Sequence, residues 1–347
     1  MKRFYVIAAA VLAVFGCSEK PPVVKQAPEL AADKVEVVAD GVDAVTFTVT
    51  SEGADVTSLS TIYCSGSPVP GNVFSTSEPG IYTFKAVYEG QDTKEMQVKA
   101  TEPEFTGESE FVKHVALWEF TGAWCANCPQ GYTNMNFIVQ SSSLFKERVH
   151  EMAFHSDTSG EDALAIEDTD KIMIDMNVSS FGFPSYVVDM YLGGSLVESV
   201  NVREHLNEAI EDNDCCCGVA VSSDIADGVA SVKVKLLPEM SGPWRTAVYV
   251  VEDKVKYYQK DGMKEHDKYT HRHVVREIVS ETYRGDRIGS GMAVAGKEVE
   301  AEYGIIVDDE WNLEETYVYV LAIDSKGRVN NMNLCLLDGG NEDYRRK

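Results

Sequence analysis

The spacing of apolar residues divides the chain into three parts with different patterns. In residues 33–101, short stretches such as 45–49 and 82–88 place apolar residues at alternate positions, and turn-forming clusters such as Glu78-Pro79-Gly80 separate them. This alternation predicts half-buried strands, and several short strands at this spacing are typical of an immunoglobulin-like β-sandwich. We therefore predict a small β-sandwich domain over residues 33–101.

Residues 104–213 follow a second pattern, in which strand-like and helix-like segments alternate. Strands are predicted at 112–120, 149–154, 184–190 and 195–197. Apolar residues at helical spacing predict helices over 161–176 and 202–210. Because alternating strands and helices are typical of a layered α/β structure, we predict an α/β domain over this part of the chain.

From residue 215 the pattern returns to strands. They are predicted at 218–222, 229–237, 246–252, 299–307 and 316–324. These strands predict a second β-sandwich over residues 215–338, with long insertions near 257–270 and 284–296. The predicted fold class is therefore multidomain α+β, with an α/β domain between two β-sandwiches.

The N-terminus has the pattern of an exported lipoprotein. Lys2-Arg3 precedes an apolar stretch at 5–15, as in a signal peptide. The string Val14-Phe15-Gly16-Cys17 resembles a bacterial lipobox, in which the cysteine is acylated. We predict that residues 1–16 are removed and that the protein is lipid-anchored through its new N-terminal cysteine. A plain signal peptide with an incidental cysteine is the alternative.

The segment after Cys17 predicts both an anchor and a compartment. Residues 17–32 begin with the polar, proline-containing string Ser18-Glu19-Lys20-Pro21-Pro22, which suits a tether between a lipid anchor and the first domain. Ser18 stands where an Asp favours retention in the inner membrane, so we predict the outer membrane. This compartment is oxidising, and the cysteines that follow Cys17 are free to pair there.

Charge and hydropathy exclude two classes of protein. The chain of 347 residues has 56 acidic and 31 basic side chains, a formal net charge of -25. Because this charge repels phosphate backbones, we do not expect nucleic-acid binding. No apolar run reaches the roughly 18 residues of a membrane-spanning helix, so we do not expect an integral membrane protein.

The string Trp124-Cys125-Ala126-Asn127-Cys128-Pro129 is the most informative chemical motif. It follows a predicted strand and opens a predicted helix, so the spacing places both sulfurs near the first helical turn. Unsatisfied N–H groups at a helix N-terminus stabilise an anion and lower the pKa of a thiol there. We predict that the Cys125 thiolate attacks and that Cys128 resolves the mixed disulfide. A structural disulfide is the alternative.

Three features of this region resemble the thioredoxin family. They are the cysteine motif at a strand–helix junction, the string Phe181-Gly182-Phe183-Pro184 before a later strand, and Glu119, six residues before Cys125. The resemblance covers residues 104–213 and implies a thioredoxin-like fold with a cis-proline at Pro184. It also implies that Glu119 exchanges a proton with Cys128, and that Trp124 and Phe183 contact an extended substrate.

Departures from the thioredoxin pattern leave the direction of the redox reaction open. Glu119 replaces the usual Asp, Ala126-Asn127 replaces Gly-Pro, and Pro129 follows the second cysteine. The dipeptide between the cysteines tunes the redox potential. The protein could therefore reduce, oxidise or isomerise disulfides.

A wider resemblance is to outer-membrane lipoproteins related to "outer membrane protein 28". It is carried by Glu119-Phe120-Thr121-Gly122 before the cysteine pair, by Val250-Val251-Glu252-Asp253 and Gln259, and by the string from Tyr269 to Arg276. Suggested activities in that family range from adhesin to redox protein. The resemblance therefore implies an architecture and an outer-membrane location.

The remaining cysteines and histidines have less specific patterns. Cys215-Cys216-Cys217 starts a predicted strand, and we favour a structural disulfide between one of these residues and Cys335 over a metal or relay site. His155 could tune the Cys125 thiolate, but a surface histidine is favoured. His271 and His273 share one strand face and could bind a metal with His266, but an exposed polar strand face is favoured. A zinc site is disfavoured because the chain has no second Cys-x-x-Cys motif, and haem attachment is excluded because residue 129 is Pro rather than His.

Two functions from different classes remain. The first is a lipid-anchored thiol–disulfide oxidoreductase that acts on exported proteins, with no diffusible cofactor because the two sulfurs carry the electrons. A reductase of this kind requires an electron-donating membrane partner. The second is a non-catalytic surface binding or adhesion lipoprotein in which the α/β domain is only a scaffold.

Overall fold

The computed structural model describes residues 26–197, 201–211, 215–289 and 291–347. The predicted signal peptide, Cys17 and the first part of the predicted tether lie outside these residues. The described chain divides into two compact units. The first contains residues 26–32, Phe47–Asn72 and Thr83–Met96, and the second contains Asp33–Thr46, Val73–Tyr82 and Gln97–Lys347.

The N-terminal part of the chain consists of short strands. They are β1 (Glu29–Ala32), β2 (Glu36–Val38), β3 (Ala44–Ser51), β4 (Ala54–Asp55), β5 (Thr61–Cys64), β6 (Ser67–Pro68), β7 (Val73–Ser75), β8 (Gly80–Tyr88), β9 (Gln91–Asp92) and β10 (Met96–Thr101). In the first unit, β1 pairs with β3 and β5 pairs with β8, both antiparallel. The buried Phe47 and Phe84 side chains pack there with ring centroids 4.5 Å apart. Strand β1 forms within the segment predicted as a tether.

The next part of the chain carries the helices. Its strands are β11 (Val115–Thr121), β12 (Val149–His155), β13 (Ser185–Val188) and β14 (Leu192–Ser195). Its helices are α1 (Cys128–Gln140), α2 (Ser143–Arg148), α3 (Thr169–Asp175) and α4 (Val202–Glu211). Among the described residues, none of the helices combines the length and apolar character needed to cross a membrane.

The C-terminal part is built from strands. They are β15 (Cys217–Ala226), β16 (Val229–Pro238), β17 (Arg245–Glu252), β18 (Val255–Asp261), β19 (Lys264–His271), β20 (Val274–Ile278), β21 (Asp286–Arg287), β22 (Val299–Ile306), β23 (Thr316–Ile323), β24 (Val329–Leu336) and β25 (Gly340–Glu342). The insertion predicted at 257–270 is the β18–β19 hairpin, a two-stranded sheet of its own.

A nine-stranded sheet joins the second and third parts of the chain. Its order is β14-β13-β11-β12-β20-β17-β23-β24, with β21 also paired to β17. Strands β11 and β12 are parallel, and Ala153 of β12 pairs with Val274 of β20. The outer edge of β12 is therefore occupied by a C-terminal strand.

The predicted fold class is wrong. The described structure is mostly β, with 47% strand and 14% helix, and no thioredoxin-like α/β core is evident. The prediction failed because β12 pairs with β20, so that one sheet continues from the predicted α/β domain into the predicted C-terminal sandwich. Local patterns indicated each strand, but they could not show this long-range pairing.

Alternating residues of β11 supply two different cores. Leu117 faces α1 and α4, where it packs with Met135 and Leu206. Trp118 faces the opposite side, where its ring stacks on Phe154 with centroids 4.4 Å apart. The period of two in the strand therefore places α1 and α4 on one face and a core with stacked aromatic rings on the other.

The core that contains Trp118 extends along the sheet from β11 and β12 to the C-terminal strands. The Trp118 ring also meets Tyr249 of β17 edge-on, with centroids 5.6 Å apart. Both side chains are fully buried in one apolar cluster. On the other face of β17, Val248 and Val250 pack against the four-stranded sheet β22-β16-β15-β25.

Helix α3 is shorter than the helix predicted over 161–176. The Asp162 carboxylate accepts a hydrogen bond from the backbone N–H of Leu164 at 2.9 Å. Such a local bond offers the backbone an alternative to helical hydrogen bonding. The chain therefore enters the helix only at Thr169.

Candidate functional site

The two cysteines of the motif lie in the connection between β11 and α1. Cys125 and Cys128 form a disulfide whose Cα atoms are 5.4 Å apart. Helix α1 begins at Cys128, so Cys125 stands in the loop before it rather than on its first turn. Both cysteines are buried, with 5% and 2% of their surfaces exposed. This burial limits the access of any reagent to the sulfurs.

The loop before β13 packs against the beginning of α1. The Phe183–Pro184 peptide bond is cis, the isomer that the sequence resemblance implies. The Phe183 ring meets the Trp124 ring edge-on, with centroids 5.2 Å apart. A Cβ atom on Gly131 of α1 would lie 2.4 Å from the Pro184 ring. The structure thus brings Trp124 to Phe183, and the first turn of the helix that begins at Cys128 to Pro184.

We expect Gly131→Ala to destabilise the protein although alanine favours helices. The added methyl group would overlap the Pro184 ring, and overpacking of this kind costs about 1–3 kcal/mol. The helix propensity of alanine offsets at most about 1 kcal/mol. Chemical denaturation measures the loss. Gly304→Ala is the control, since its Cβ meets Val229 at an ordinary 3.9 Å; equal effects of both changes would contradict the expectation.

Glu119 is buried next to Cys128. Its side chain lies on β11, is 4% exposed, and lines with Cys128 and Tyr132 a cavity of about 20 Å³. This volume has room for a single water molecule. Burial, with a smaller contribution from Glu151, raises the pKa of Glu119 to about 8. The carboxyl group is therefore largely protonated at neutral pH and sits where it can exchange a proton with Cys128.

Glu151 is a second buried carboxyl group on the same face of the sheet. In the parallel pair, Glu119 is level with Ala153, and Glu151 is two residues before Ala153 on β12. Burial raises the pKa of Glu151 to about 7, against the opposing effect of Arg272. Among the described residues, none donates a hydrogen bond to its Oε2 atom. Glu151 therefore adds to the electrostatic cost of ionising Glu119.

Asp162 fixes one side of the cysteine loop. Its carboxylate accepts a hydrogen bond from the Ala123 N–H and contacts His155 Nδ1, each at 2.7 Å. The pKa of Asp162 is lowered by His155 and by backbone N–H groups, against the opposing effect of burial. His155 is only 1% exposed, so the prediction of a surface histidine is wrong. The prediction fails because the His155 ring faces the buried carboxylate of Asp162 rather than water.

The β18–β19 hairpin fixes the other side of the loop. The Lys260 N–H donates to the Ala123 carbonyl, and the Gly262 N–H donates to the Ala126 carbonyl, both at 2.8 Å. The Gln259 side-chain amide donates to the carbonyl of Cys125 at 3.1 Å. The sequence offered no signal for the role of this hairpin. Gln259 was marked only by a family resemblance, and Asp162 not at all.

The remaining cysteines of the described chain do not pair. Cys64 and the buried residues Cys215, Cys216, Cys217 and Cys335 are free thiols. The predicted disulfide from the Cys215–Cys217 string to Cys335 is therefore wrong. The Asn330 amide lies 3.6 Å from the Cys216 sulfur, so Cys216 has a polar neighbour in place of a disulfide partner. Burial raises the pKa of Cys335 to about 12, which keeps it a thiol.

His271 lies inside the structure near the same cavity. It is 5% exposed, and its Nε2 atom is 3.1 Å from the Tyr258 carbonyl. The prediction of an exposed strand face is therefore wrong at this position. Burial lowers the pKa of His271 to about 4. Across the described ranges, no group of three or more His, Cys, Asp or Glu side chains is placed to hold a metal ion.

The comparison with protein families decides the location. Residues 173–335 match the model of the family described as outer membrane protein Omp28. The protein is located in the cell envelope, at the outer membrane. The predicted location is thereby confirmed. The match begins within α3 and excludes Glu119, Cys125 and Cys128, so it carries no information about redox chemistry.

The comparison with solved structures gives a likeness of fold. HBP35 of Porphyromonas gingivalis aligns with a TM-score of 0.54 and 18% sequence identity, over 66% of this chain and 77% of that chain. A β-glucosidase from Kluyveromyces marxianus aligns over 89% of this chain and 46% of its own, at 8% identity, but its TM-score of 0.19 carries no argument. No curated protein sequence matches the chain. The comparisons do not confirm the resemblance to thioredoxins.

Proposed function

We propose that the Cys125–Cys128 pair is redox-active and exchanges disulfides with exported proteins in the cell envelope. In the reducing direction, the Cys125 thiolate attacks a substrate disulfide, forms a mixed disulfide and releases one substrate thiolate. The ionised form of Glu119 then takes the proton of Cys128, and the Cys128 thiolate attacks the Cys125 sulfur, which releases the second substrate thiolate. Two electrons pass to the substrate, and the oxidising direction is the reverse.

The observation that carries this proposal is the carboxyl group of Glu119 beside Cys128. A structural disulfide gains nothing from a neighbouring acid, and burying that acid destabilises the fold. A reacting pair needs a group that takes the proton of the resolving thiol. With a pKa of about 8 in the disulfide form, Glu119 would hold that proton at neutral pH. Perturbed pKa values of this kind are enriched at functional sites.

The packing of Pro184 against α1 also supports the proposal. Trp124 is partly exposed and its ring meets Phe183, so aromatic surface borders the disulfide on this side. We propose that Trp124 and Phe183 contact the substrate, and that Pro184 holds their loop against the helix. The lipid anchor at Cys17 and the tether that follows it remain proposals as well, as do the predicted domain boundaries.

A second candidate function is a non-catalytic surface protein. The family match supports this function better than the first, because it concerns the outer membrane and carries no redox chemistry. The burial of both sulfurs, at 5% and 2% exposure, also suits a structural disulfide. On this hypothesis the protein binds a partner at the cell surface, and the disulfide only staples the loop to α1.

The midpoint potential of the Cys125–Cys128 disulfide separates the two functions. A catalytic pair is expected between about -120 and -270 mV, whereas a structural disulfide lies below about -300 mV. The purified protein is equilibrated with thiol–disulfide buffers, and the free thiols are counted after alkylation. The Cys125→Ser/Cys128→Ser variant is the control, since the thiols that remain in it are not part of the pair.

Trapping supplies a direct test of the reaction. In Cys128→Ser the resolving thiol is absent, so a mixed disulfide between Cys125 and a disulfide-containing model protein should accumulate. Cys125→Ser, which keeps Cys128, should form far less of it. A potential below about -300 mV together with no adduct at Cys125 would refute the redox function and leave the surface protein.

A further inference from the structure

The β18–β19 hairpin binds the cysteine loop through two main-chain hydrogen bonds and one side chain. Two main-chain bonds, from Lys260 to Ala123 and from Gly262 to Ala126, lie on either side of the disulfide-bonded Cys125. Between them, Gln259 donates to the carbonyl of Cys125 at 3.1 Å. The hairpin therefore follows the loop as a neighbouring strand would.

Gln259 connects the hairpin to the interior of the site. It is 2% exposed, and its amide nitrogen also lies 3.3 Å from the Gly122 carbonyl and 2.8 Å from the Lys260 carbonyl. An amide with two hydrogens thus serves three acceptors. With Cys128 and His271, the side chain also lines the small cavity beside Glu119.

The hairpin is anchored at its base and exposed at its tip. Near the base, the Arg272 guanidinium donates to the Asp253 carboxylate at 2.7 Å. At the tip, Met263 is fully exposed, and within the described part of the chain the two strands pair only with each other. Such a hairpin can separate from the loop by breaking a few hydrogen bonds while its base stays in place.

We propose that Gln259 is a positioning residue that holds the β18–β19 hairpin over the cysteine loop and thereby restricts access to the Cys125 sulfur. With the hairpin in place, the backbone carbonyls of residues 122, 123, 125 and 126 already have partners on that side. An incoming polypeptide must then approach from the side of Phe183 and Pro184. The inference rests on the proposed function for the identity of the reacting sulfur.

This arrangement gives the hairpin a part in substrate selection. A folded protein whose disulfide is recessed cannot reach Cys125 while the hairpin is closed, whereas an extended segment can lie along the open side. Loosening the hairpin should therefore increase the reactivity of the disulfide toward reagents in general. The midpoint potential of the cysteine pair is an equilibrium quantity and is measured separately from this rate.

The test is the rate at which dithiothreitol reduces the Cys125–Cys128 disulfide in the full chain. We expect Gln259→Ala to raise this rate at least about fivefold, since the loss of one buried hydrogen bond corresponds to about this factor and the Gln259 amide serves three carbonyls. Thiols are counted by quenched alkylation and mass spectrometry. Hydrogen exchange of residues 122–128 is measured in parallel and should become faster by a similar factor.

Two controls keep the result specific. Gln130 lies on α1 beside the site, but its side chain donates to Asn134 and not to the loop. The disulfide of Gln130→Ala should therefore be reduced at the wild-type rate. If Gln259→Ala does not fold, Gln259→Asn keeps the amide and shortens its reach by one methylene. Unchanged reduction and exchange rates in a folded Gln259 variant would overturn the proposal. This outcome is independent of the midpoint potential, which tests the redox function.

Discussion

Replacing Glu119 by glutamine should make the oxidised protein more stable at alkaline pH and reduce the fall in its stability between about pH 6.5 and 8. Burial raises the pKa of this carboxyl group from 4.5 to about 8. Below pH 4.5 both the folded and the unfolded chain hold the proton. As the pH rises, the unfolded chain loses it first, so stability falls until the pH passes about 8.

The expected gain of Glu119→Gln above pH 8 is on the order of 5 kcal/mol, since the pKa rises from 4.5 to about 8 and each unit of pKa corresponds to about 1.4 kcal/mol. Glutamine resembles the protonated acid in shape and carries no charge to desolvate. Urea denaturation of the disulfide form at several pH values measures the effect. The exposed Glu108→Gln is the matched control and should leave the profile unchanged.

Two features of the pH profile make this expectation specific. Burial also lowers the pKa values of His114 and His150 to about 3, so the loss of stability below about pH 6.5 should persist in Glu119→Gln. A smaller alkaline decline should remain as well, because Glu151 has a pKa of about 7. A wild-type profile that does not fall between about pH 6.5 and 8, where these histidines are largely neutral in both states, would show that Glu119 is not desolvated as the structure indicates.

Lys113→Met should destabilise the fold by about 3–5 kcal/mol, the usual cost of removing one partner of a buried ion pair. The Lys113 ammonium lies 2.7 Å from the Asp189 carboxylate, and the two side chains are 4% and 0% exposed. It also donates to the carbonyls of Val329 and Asn330. The variant leaves a buried carboxylate without this cation and two carbonyls without this donor.

The measurement is the free energy of unfolding, with an exposed ion pair as the reference. Lys85 lies 2.8 Å from Asp92, but these side chains are 38% and 56% exposed, so Lys85→Met should cost at most about 1 kcal/mol. In Lys113→Met/Asp189→Asn the buried negative charge is removed as well, and part of the stability should return. Equal losses in the single and the double variant would argue against a coupled pair.

The sequence predicted best those elements whose pattern is local. The strand predicted at 149–154 is β12, and the helix predicted at 202–210 is α4, within one residue at each end. Helix α4 buries Val202, Leu206 and Ala209 on one face, whereas β12 is a short, almost fully buried stretch, and both patterns can be read from neighbouring residues. The junction at Cys125 and the buried acid at Glu119 could be predicted for the same reason, since strand, acid and cysteines are neighbours in the sequence.

The sequence could not predict contacts that depend on distant segments. Gln259 meets the Gly122 carbonyl across 137 positions, and no local pattern indicates such a bond. The same holds for β12 and β20, whose pairing overturned the predicted fold class. His155 was misjudged because its partner Asp162 lies in a segment that the periodicity assigned to a helix. Long-range strand pairing and side-chain capture of loops therefore account for the errors.

The shared sheet sets a limit on modular exchange between proteins. Because β20 covers the edge of β12, and Tyr249 packs on Trp118, a fragment ending at residue 213 would carry a bare strand edge and a half-exposed aromatic face. Such surfaces promote self-association. The segment with the cysteines therefore cannot be moved into another protein without the C-terminal strands. Substitutions on one side of the β12–β20 junction must remain compatible with the residues that they pack against on the other side.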